Sequence, residues 1–223
     1  NNDSGTSNTV FGKNAGASID AGTNYNVFIG ENVADATLDN AIYNVGVGYN
    51  ALSALTTADG NIAVGYGSLK LATTGGYNIA IGKSALNALV DGSSNVGIGT
   101  DALGAITNGI GNIAIGEASG STLETEDYNT YIGHNSGRYM DDGAKNSALG
   151  YQTMMGASTG NDASENVAIG YQSLKSITDG DKNTFMGSEA GKTLTTGHSN
   201  VGIGYNVMHD LDSGSDASSS YGN

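Results

Sequence analysis

The sequence predicts a β-solenoid repeat protein, in which parallel coils stack and each coil carries a short strand. One observation is a strand-like motif that recurs about every 17 residues, with a single clearly longer interval between Asn146 and Asn166. A second is the glycine content, 36 of 223 residues, which is about twice the usual share and suits a corner in every coil. The third is an apolar fraction of 38% arranged with the same period. Fixed self-similarity of this kind is typical of solenoids.

The recurring motif consists of Asn, an apolar or hydroxyl residue, a variable residue, a large apolar residue and Gly. Asn78-Ile79-Ala80-Ile81-Gly82 is an example. Alternation bounded by Asn and Gly predicts a short strand. We interpret the repeated Asn as a structural ladder at a corner, where Asn tolerates left-handed backbone and its amide bonds neighbouring backbone. The ladder positions are Asn8, Asn26, Asn44, Asn61, Asn78, Asn95, Asn112, Asn129, Asn146, Asn166, Asn183 and Asn200.

A second segment follows each motif glycine. In the segment 49–55, apolar residues fall three, four and seven positions after Gly48. This spacing predicts a short helical turn. A second short strand is the alternative, and the segment 117–121 fits that alternative better. The one long interval, between Asn146 and Asn166, predicts a small loop insertion at 161–164.

The volumes of two slots compensate each other in every coil but one, in which Ala114 occurs with Gly120. Where the middle strand residue is large, as at Tyr131, the residue four positions after the glycine is small, here Gly137; where the middle residue is Ala80, the later residue is Leu86. Because protein interiors are close-packed, we expect the two slots to share one layer. The strands are therefore expected to be buried on both faces, with the outer face covered by the helical segment or by another chain.

Composition excludes several classes of partner. The chain has 8 Lys and Arg against 22 acidic residues, a formal net charge of −14. Too few cations are present for a nucleic-acid surface or an anionic membrane surface, and no apolar run is long enough for membrane insertion. The absence of Cys removes disulfides and thiolate metal sites.

Residues whose side chains could catalyse a reaction or bind a metal do not have the spacing of a known catalytic or metal site. His134, His198 and His209 lie in different contexts, without the spacing of a zinc site or a triad. The acidic groups at 124–127 and 141–142 are interpreted as solvated turns, with Ca²⁺ binding as the alternative. We predict no enzyme activity, no catalytic residue, no cofactor and no metal.

Two other patterns receive structural interpretations. The Gly-x-Gly at 97–99 recurs once per coil, so it is interpreted as part of the repeat and not as a dinucleotide fingerprint. One slot after the motif glycine is repeatedly aromatic, which predicts a partly exposed tyrosine ladder used for packing, with a glycan-binding stripe as the alternative. The ladder residues are Tyr49, Tyr66, Tyr151, Tyr171 and Tyr205.

The motif resembles units of known surface proteins. Asn166-Val-Ala-Ile-Gly170 is similar to the head repeats of trimeric autotransporter adhesins, and the longer unit that begins at Asn78 resembles repeats of phage tail fibres. The resemblance implies a parallel homotrimer on a virion surface, or in an extracellular or cell-surface location, that contacts a host receptor or glycan. The period of this chain differs from the shorter coil of the adhesin head.

We therefore expect residues 1–223 to form a single array of about twelve coils, an excerpt of a longer fibre. The expected function is that of a structural or adhesive segment of a phage tail fibre or bacterial surface adhesin. The alternatives are an ice- or polysaccharide-binding solenoid module and an extracellular filament subunit that stacks end to end.

Overall fold

The fold is a parallel β-solenoid, seen in a computed structural model that describes residues 7–157 and 160–208. The chain divides into two compact units, residues 1–111 and 112–223. Each described strand has three residues. In the first unit the strands are β1 (Thr9–Phe11), β2 (Val27–Ile29), β3 (Val45–Val47), β4 (Ile62–Val64), β5 (Ile79–Ile81) and β6 (Val96–Ile98). In the second they are β7 (Ile113–Ile115), β8 (Thr130–Ile132), β9 (Ser147–Leu149), β10 (Val167–Ile169), β11 (Thr184–Met186) and β12 (Val201–Ile203).

Within each unit every strand pairs in parallel with the next strand in the sequence. The register is constant, so that the middle residue always faces the middle residue of its neighbour, as Ala63 faces Ala80. The parallel solenoid and its regular period confirm the repeat architecture predicted from the sequence. Because each coil presents the same slots, side chains of one slot form a column along each unit.

The predicted helical turn after the motif glycine is wrong. No helix occurs among residues 7–157 and 160–208, and the segment that follows each strand is a series of turns, without the alternative second strand either. Its amides bond to neighbouring coils: Asn50 N–H donates to Glu31 O at 3.1 Å, and Leu52 N–H donates to Ser68 O at 3.1 Å. Inter-coil bonding thus replaces the i→i−4 ladder that a helix needs.

Left-handed backbone recurs in three slots of the coil. These are the residue before the ladder Asn, and the second and fourth residues after the motif glycine; in one coil they are Tyr77 (φ 60°), Ser84 (φ 56°) and Leu86 (φ 52°). Thirty described non-glycine residues have positive φ, and none is Val, Ile or Thr. β-branched side chains are the ones that tolerate this conformation least. The backbone path therefore selects the residue types of these slots.

The motif glycine makes the corner that ends each strand. Gly82 has φ 137°, and a Cβ at this position would lie 2.5 Å from the carbonyl oxygen of Gly99 in the next coil. A side chain here would push neighbouring coils apart. The glycine is thus required by close approach as well as by φ.

The core of each coil combines the two compensating slots. Tyr131, Phe185 and Leu86 are fully buried. A Cβ added to Gly137 would lie 2.5 Å from the Tyr131 ring, and one added to Gly191 would lie 2.8 Å from the Phe185 ring. The large middle residue therefore fills the space that Leu or Met fills in other coils, as the sequence predicted.

The flanking strand residues differ from the prediction. Ile79 is half-buried and Ile81 is 40% exposed, while Ala80 between them is fully buried. The strand is therefore buried on its inner face alone in the single chain. Since no helix covers the outer face among the described residues, this face remains in contact with solvent.

Candidate functional site

The ladder asparagines use their side chains inside the protein. Asn61 Oδ1 accepts the backbone N–H of Asn78 at 2.9 Å and its Nδ2–H at 3.1 Å. Asn78 Nδ2 also donates to Gly92 O at 2.9 Å, and Asn78 is fully buried. Repetition of this arrangement within each unit connects one coil to the next. The left-handed residue at the corner is the one that precedes each ladder Asn, such as Tyr77, and not the Asn itself.

One tyrosine enters the asparagine ladder. The Tyr131 hydroxyl lies 3.3 Å from Asn129 Oδ1, to which it donates, and accepts from Asn146 Nδ2 at the same distance. Burial raises the pKa of Tyr131, and the hydrogen bond from Asn146 offsets only part of this rise. The hydroxyl therefore stays protonated and completes the ladder where a large side chain occupies the core.

In each unit the outer face of the strands forms a mainly apolar surface, here called the outer strip. It consists of the first and third residues of each strand. In the first unit, β2 to β6 contribute only Val and Ile to it, and all are at least partly exposed. In the second unit Thr130, Ser147 and Thr184 are the polar members. No position of the outer strip is charged in a chain of net charge −14.

Aromatic side chains border the outer strip. Rings stack between neighbouring coils in the slot before the ladder Asn, where Tyr25 and Tyr43 have centroids 5.4 Å apart. They also stack in the slot after the motif glycine, where the Tyr49–Tyr66 distance is 5.4 Å. These tyrosines are 42–60% exposed.

In the second unit a stack of three rings occupies the slot after the motif glycine. Tyr151 lies between His134, with centroids 5.5 Å apart, and Tyr171, at 5.6 Å. The Tyr151 ring is thus stacked against a neighbouring ring in each direction along its column, and the residue is 44% exposed. A sugar that stacks on an aromatic face would have to displace a neighbouring ring. Tyr205, the last predicted ladder residue, is 78% exposed.

The structure does not bring the histidines together. His134 Nδ1 lies 3.6 Å from a carboxylate oxygen of Glu117. His198 Nδ1 accepts the backbone N–H of Asp181 at 3.0 Å. His209 lies outside the described residues. Among residues 7–157 and 160–208, no group of three or more His, Asp or Glu side chains has the geometry to hold a metal ion.

Acidic side chains of the predicted turns accept backbone N–H groups. Glu126 accepts the N–H groups of Glu124 at 2.7 Å and Thr125 at 3.0 Å. Asp141 accepts the N–H groups of Gly160 and Asn161, both at 2.8 Å, and so anchors the predicted insertion.

Burial raises the pKa of Asp141, but its hydrogen bonds, led by those from the Asn161 and Gly160 N–H groups, together outweigh burial, so the pKa lies below its ordinary value. In contrast, the pKa of Asp179 is raised, first by a hydrogen bond with the Asp162 side chain and then by burial and nearby acids. Asp162 and Asp179 occupy the same slot in neighbouring coils, so the repeat itself brings these two carboxyl groups together.

The Gly-x-Gly pair at 97–99 belongs to a strand and its corner. Gly97 is the middle residue of β6, and Gly99 has φ 131°. A Cβ on Gly97 would lie 3.1 Å from the Leu86 side chain, so this glycine makes room for a core residue of the preceding coil. Both glycines thus have structural reasons to be present.

Sequence reasoning did not anticipate the exposed outer strip, because it expected cover on that face. The strict alternation of Ile and Val around a small middle residue was the available signal, since a three-residue strand in a thin coil has only one interior face. In the part of the chain that the structure describes, no helix has the length and apolar character required to cross a membrane. Comparisons of the chain with protein families, curated proteins and solved structures found no match.

Proposed function

We propose that the chain is a structural segment of a surface fibre, which associates with copies of itself through the outer strip and gives reach to an attachment device. The single observation that carries the proposal is the outer strip itself. It is uncharged in every described strand and consists only of Val and Ile in the successive strands β2 to β6, and the chain's own described residues leave it uncovered.

Covering this surface would be favourable. Each of these partly exposed Val and Ile side chains would contribute about 1 kcal/mol when its remaining surface leaves water. Ten such side chains line β2 to β6. A contiguous exposed surface made by ten apolar side chains usually marks an interaction site.

A second copy of the chain is the occupant that fits best. The outer strip repeats once per coil, so a partner must repeat with the same rise to make equivalent contacts along its length. Another copy has the same repeat and therefore the same rise per coil. A protein without repeats would make equivalent contacts with only one or two coils. The absence of charge in the outer strip also lets copies meet despite a net charge of −14.

We place three parallel copies in the assembly, following the resemblance to trimeric adhesin heads and tail fibres. In this arrangement the function is mechanical, with a location on a virion surface or at a cell surface. A host receptor or glycan is the proposed target of the fibre as a whole. The hydrogen bonds of the asparagine ladder connect each coil to the next within a unit, which suits a mechanical role.

A pair of matched variants tests self-association. Ile81→Asp places a charge in the outer strip at a side chain that is 40% exposed, whereas Leu71→Asp places the same charge at a 46% exposed side chain away from the strands. Ile81→Asp should lower the mass measured in solution by light scattering, because the carboxylate would have to be buried between copies. Leu71→Asp should leave the mass unchanged. Equal masses for both variants and the unmodified chain would refute the outer strip as the contact.

A further inference from the structure

The stacked tyrosine pairs have the arrangement of a modification site. Tyr25–Tyr43, Tyr49–Tyr66 and Tyr151–Tyr171 each join neighbouring coils, with centroid distances of 5.4, 5.4 and 5.6 Å. Their ring planes differ by 12°, 17° and 7°. All six side chains are 42–60% exposed. Two phenols are therefore held side by side at each pair, within reach of a reagent from solvent.

We infer that these three pairs are sites of oxidative dityrosine cross-linking between neighbouring coils, by a one-electron oxidant such as a peroxidase with hydrogen peroxide. The inference goes beyond the proposed function and does not rest on it. Its basis is the pairwise placement of the rings, which the backbone enforces by repeating one slot along each unit.

The cross-linking reaction requires no protein group other than the two phenols. Each phenol gives one electron and one proton to the oxidant and becomes a phenoxyl radical, whose unpaired electron is shared by the oxygen and the ortho carbons. Two ortho carbons join in a C–C bond, and the hydrogens on these carbons move to the phenolic oxygens as the rings regain aromaticity. One hydrogen peroxide accepts the two electrons and two protons and becomes two waters.

Proximity favours coupling within a pair. A radical formed on Tyr49 has the Tyr66 ring as its nearest aromatic neighbour, so coupling competes well with diffusion to another molecule. The exposed side chains are free of core packing and can tilt from the stacked arrangement to bring the ortho carbons together. The resulting bond would close a loop of one coil and so restrict the unfolded chain, as a disulfide does.

The chain contains its own controls. Tyr77 and Tyr128 occupy the same slot as Tyr25 and Tyr43, and they are 69% and 59% exposed. The neighbouring coils place Gly60 and Ser94 beside Tyr77, so it has no tyrosine in its column within one coil. If exposure alone controlled oxidation, Tyr77 would react at least as readily as Tyr25.

The experiment treats the full chain with a haem peroxidase and hydrogen peroxide, then separates it on a denaturing gel. Chains that remain at monomer mass are digested, and peptides cross-linked with the loss of two hydrogens are identified by mass spectrometry. We expect the three stacked pairs to be cross-linked several-fold more than any pair that includes Tyr77 or Tyr128. Tyr49→Phe, which keeps the ring, should remove the Tyr49–Tyr66 product alone.

A gain of reactivity completes the test. Ser94 is exposed with φ 61°, a backbone conformation that tyrosine already adopts at Tyr77 with φ 60°. Ser94→Tyr should therefore create a new cross-link between positions 77 and 94. Yields that follow exposure instead of stacking, products found only in covalent dimers, or no products at all would overturn the inference. If cross-links occurred only between chains, the inference about neighbouring coils would be refuted, but the proposal of self-association would not. The two proposals can therefore be refuted independently.

Discussion

The left-handed slots make a sharp prediction about β-branched residues in the core. Leu86 and Leu89 are both fully buried in the same coil. Leu86 has a left-handed backbone with φ 52°, whereas Leu89 does not have a positive φ. Leu86→Ile keeps the side-chain volume and places a β-branched residue in left-handed backbone. Leu89→Ile makes the same chemical change where other coils already carry Ile106 and Ile177.

The expected magnitudes differ enough to measure. A volume-conserving exchange in a core usually costs less than about 1.5 kcal/mol. Left-handed backbone adds roughly 1–2 kcal/mol for an ordinary residue, and more for a β-branched one. Because Leu86 already carries the ordinary part of that cost, only the additional cost of branching counts. We expect Leu86→Ile to reduce the free energy of unfolding by about 2–3 kcal/mol and Leu89→Ile by about 1 kcal/mol or less.

Urea denaturation followed by circular dichroism provides the assay, with the midpoint compared among variants of equal m-value. Leu86→Met serves as a second control, since Met154 occupies the same slot with φ 47°. This variant should remain within about 1 kcal/mol of the unmodified chain. Equal losses for Leu86→Ile and Leu89→Ile would show that the left-handed backbone does not select the residues of this slot.

Three further predictions concern packing, pH and metals. Leu86→Gly should cost about 2–4 kcal/mol, because the void outweighs relief of left-handed strain, and adding Ala80→Phe should restore part of the loss in the same urea assay; strict additivity would show that the two sites do not touch. The raised pKa of Asp179, due first to its bond with Asp162, means that protonation favours the folded state, so stability from this group declines as pH rises through and above its ordinary pKa. Asp179→Asn should therefore raise the melting temperature at neutral pH and have little effect at about pH 3, as followed by circular dichroism; a lower melting temperature at neutral pH would contradict this sign. EDTA should leave the melting temperature unchanged, and a fall that Ca²⁺ reverses would reveal a metal site in the acidic turns.

Much of the fold could be predicted from the sequence because the same information is repeated in each coil. The alternation at 79–81 is too short to identify a strand alone, but its recurrence at a constant interval makes the assignment secure. The volume relation between Ala80 and Leu86 likewise predicted a shared layer, since large and small residues exchange places in other coils.

The segment after each glycine could not be predicted in the same way. Its apolar spacing matches a helix, yet Leu86 adopts a conformation that leucine rarely adopts, stabilised by its N–H bond to Ala102 O in the next coil at 3.0 Å. Propensity describes local preference, and inter-coil hydrogen bonding overrides it here. One signal in the sequence was available. The left-handed slots contain no β-branched residues, whereas a helical face would tolerate such residues.

Exposure of the outer strip could not be predicted from the alternation of a single strand taken alone. A pattern of Ile79 and Ile81 around Ala80 indicates two faces without telling which one is inside. The asparagine corner and the compensation rule identify Ala80 as the inner residue once the coil is closed. Ile79 and Ile81 then lie on the outer face, where they are partly exposed.

The mass of the protein in solution tests the central claim most directly. One chain has a mass of 22.4 kDa, and association through the outer strip in three copies should triple it. Analytical ultracentrifugation at micromolar concentration measures this mass without reference to shape. A single species at three times the chain mass is the result that the account predicts. A well-folded single species at the mass of one chain would contradict it, because the outer strip would then remain exposed to water without a partner.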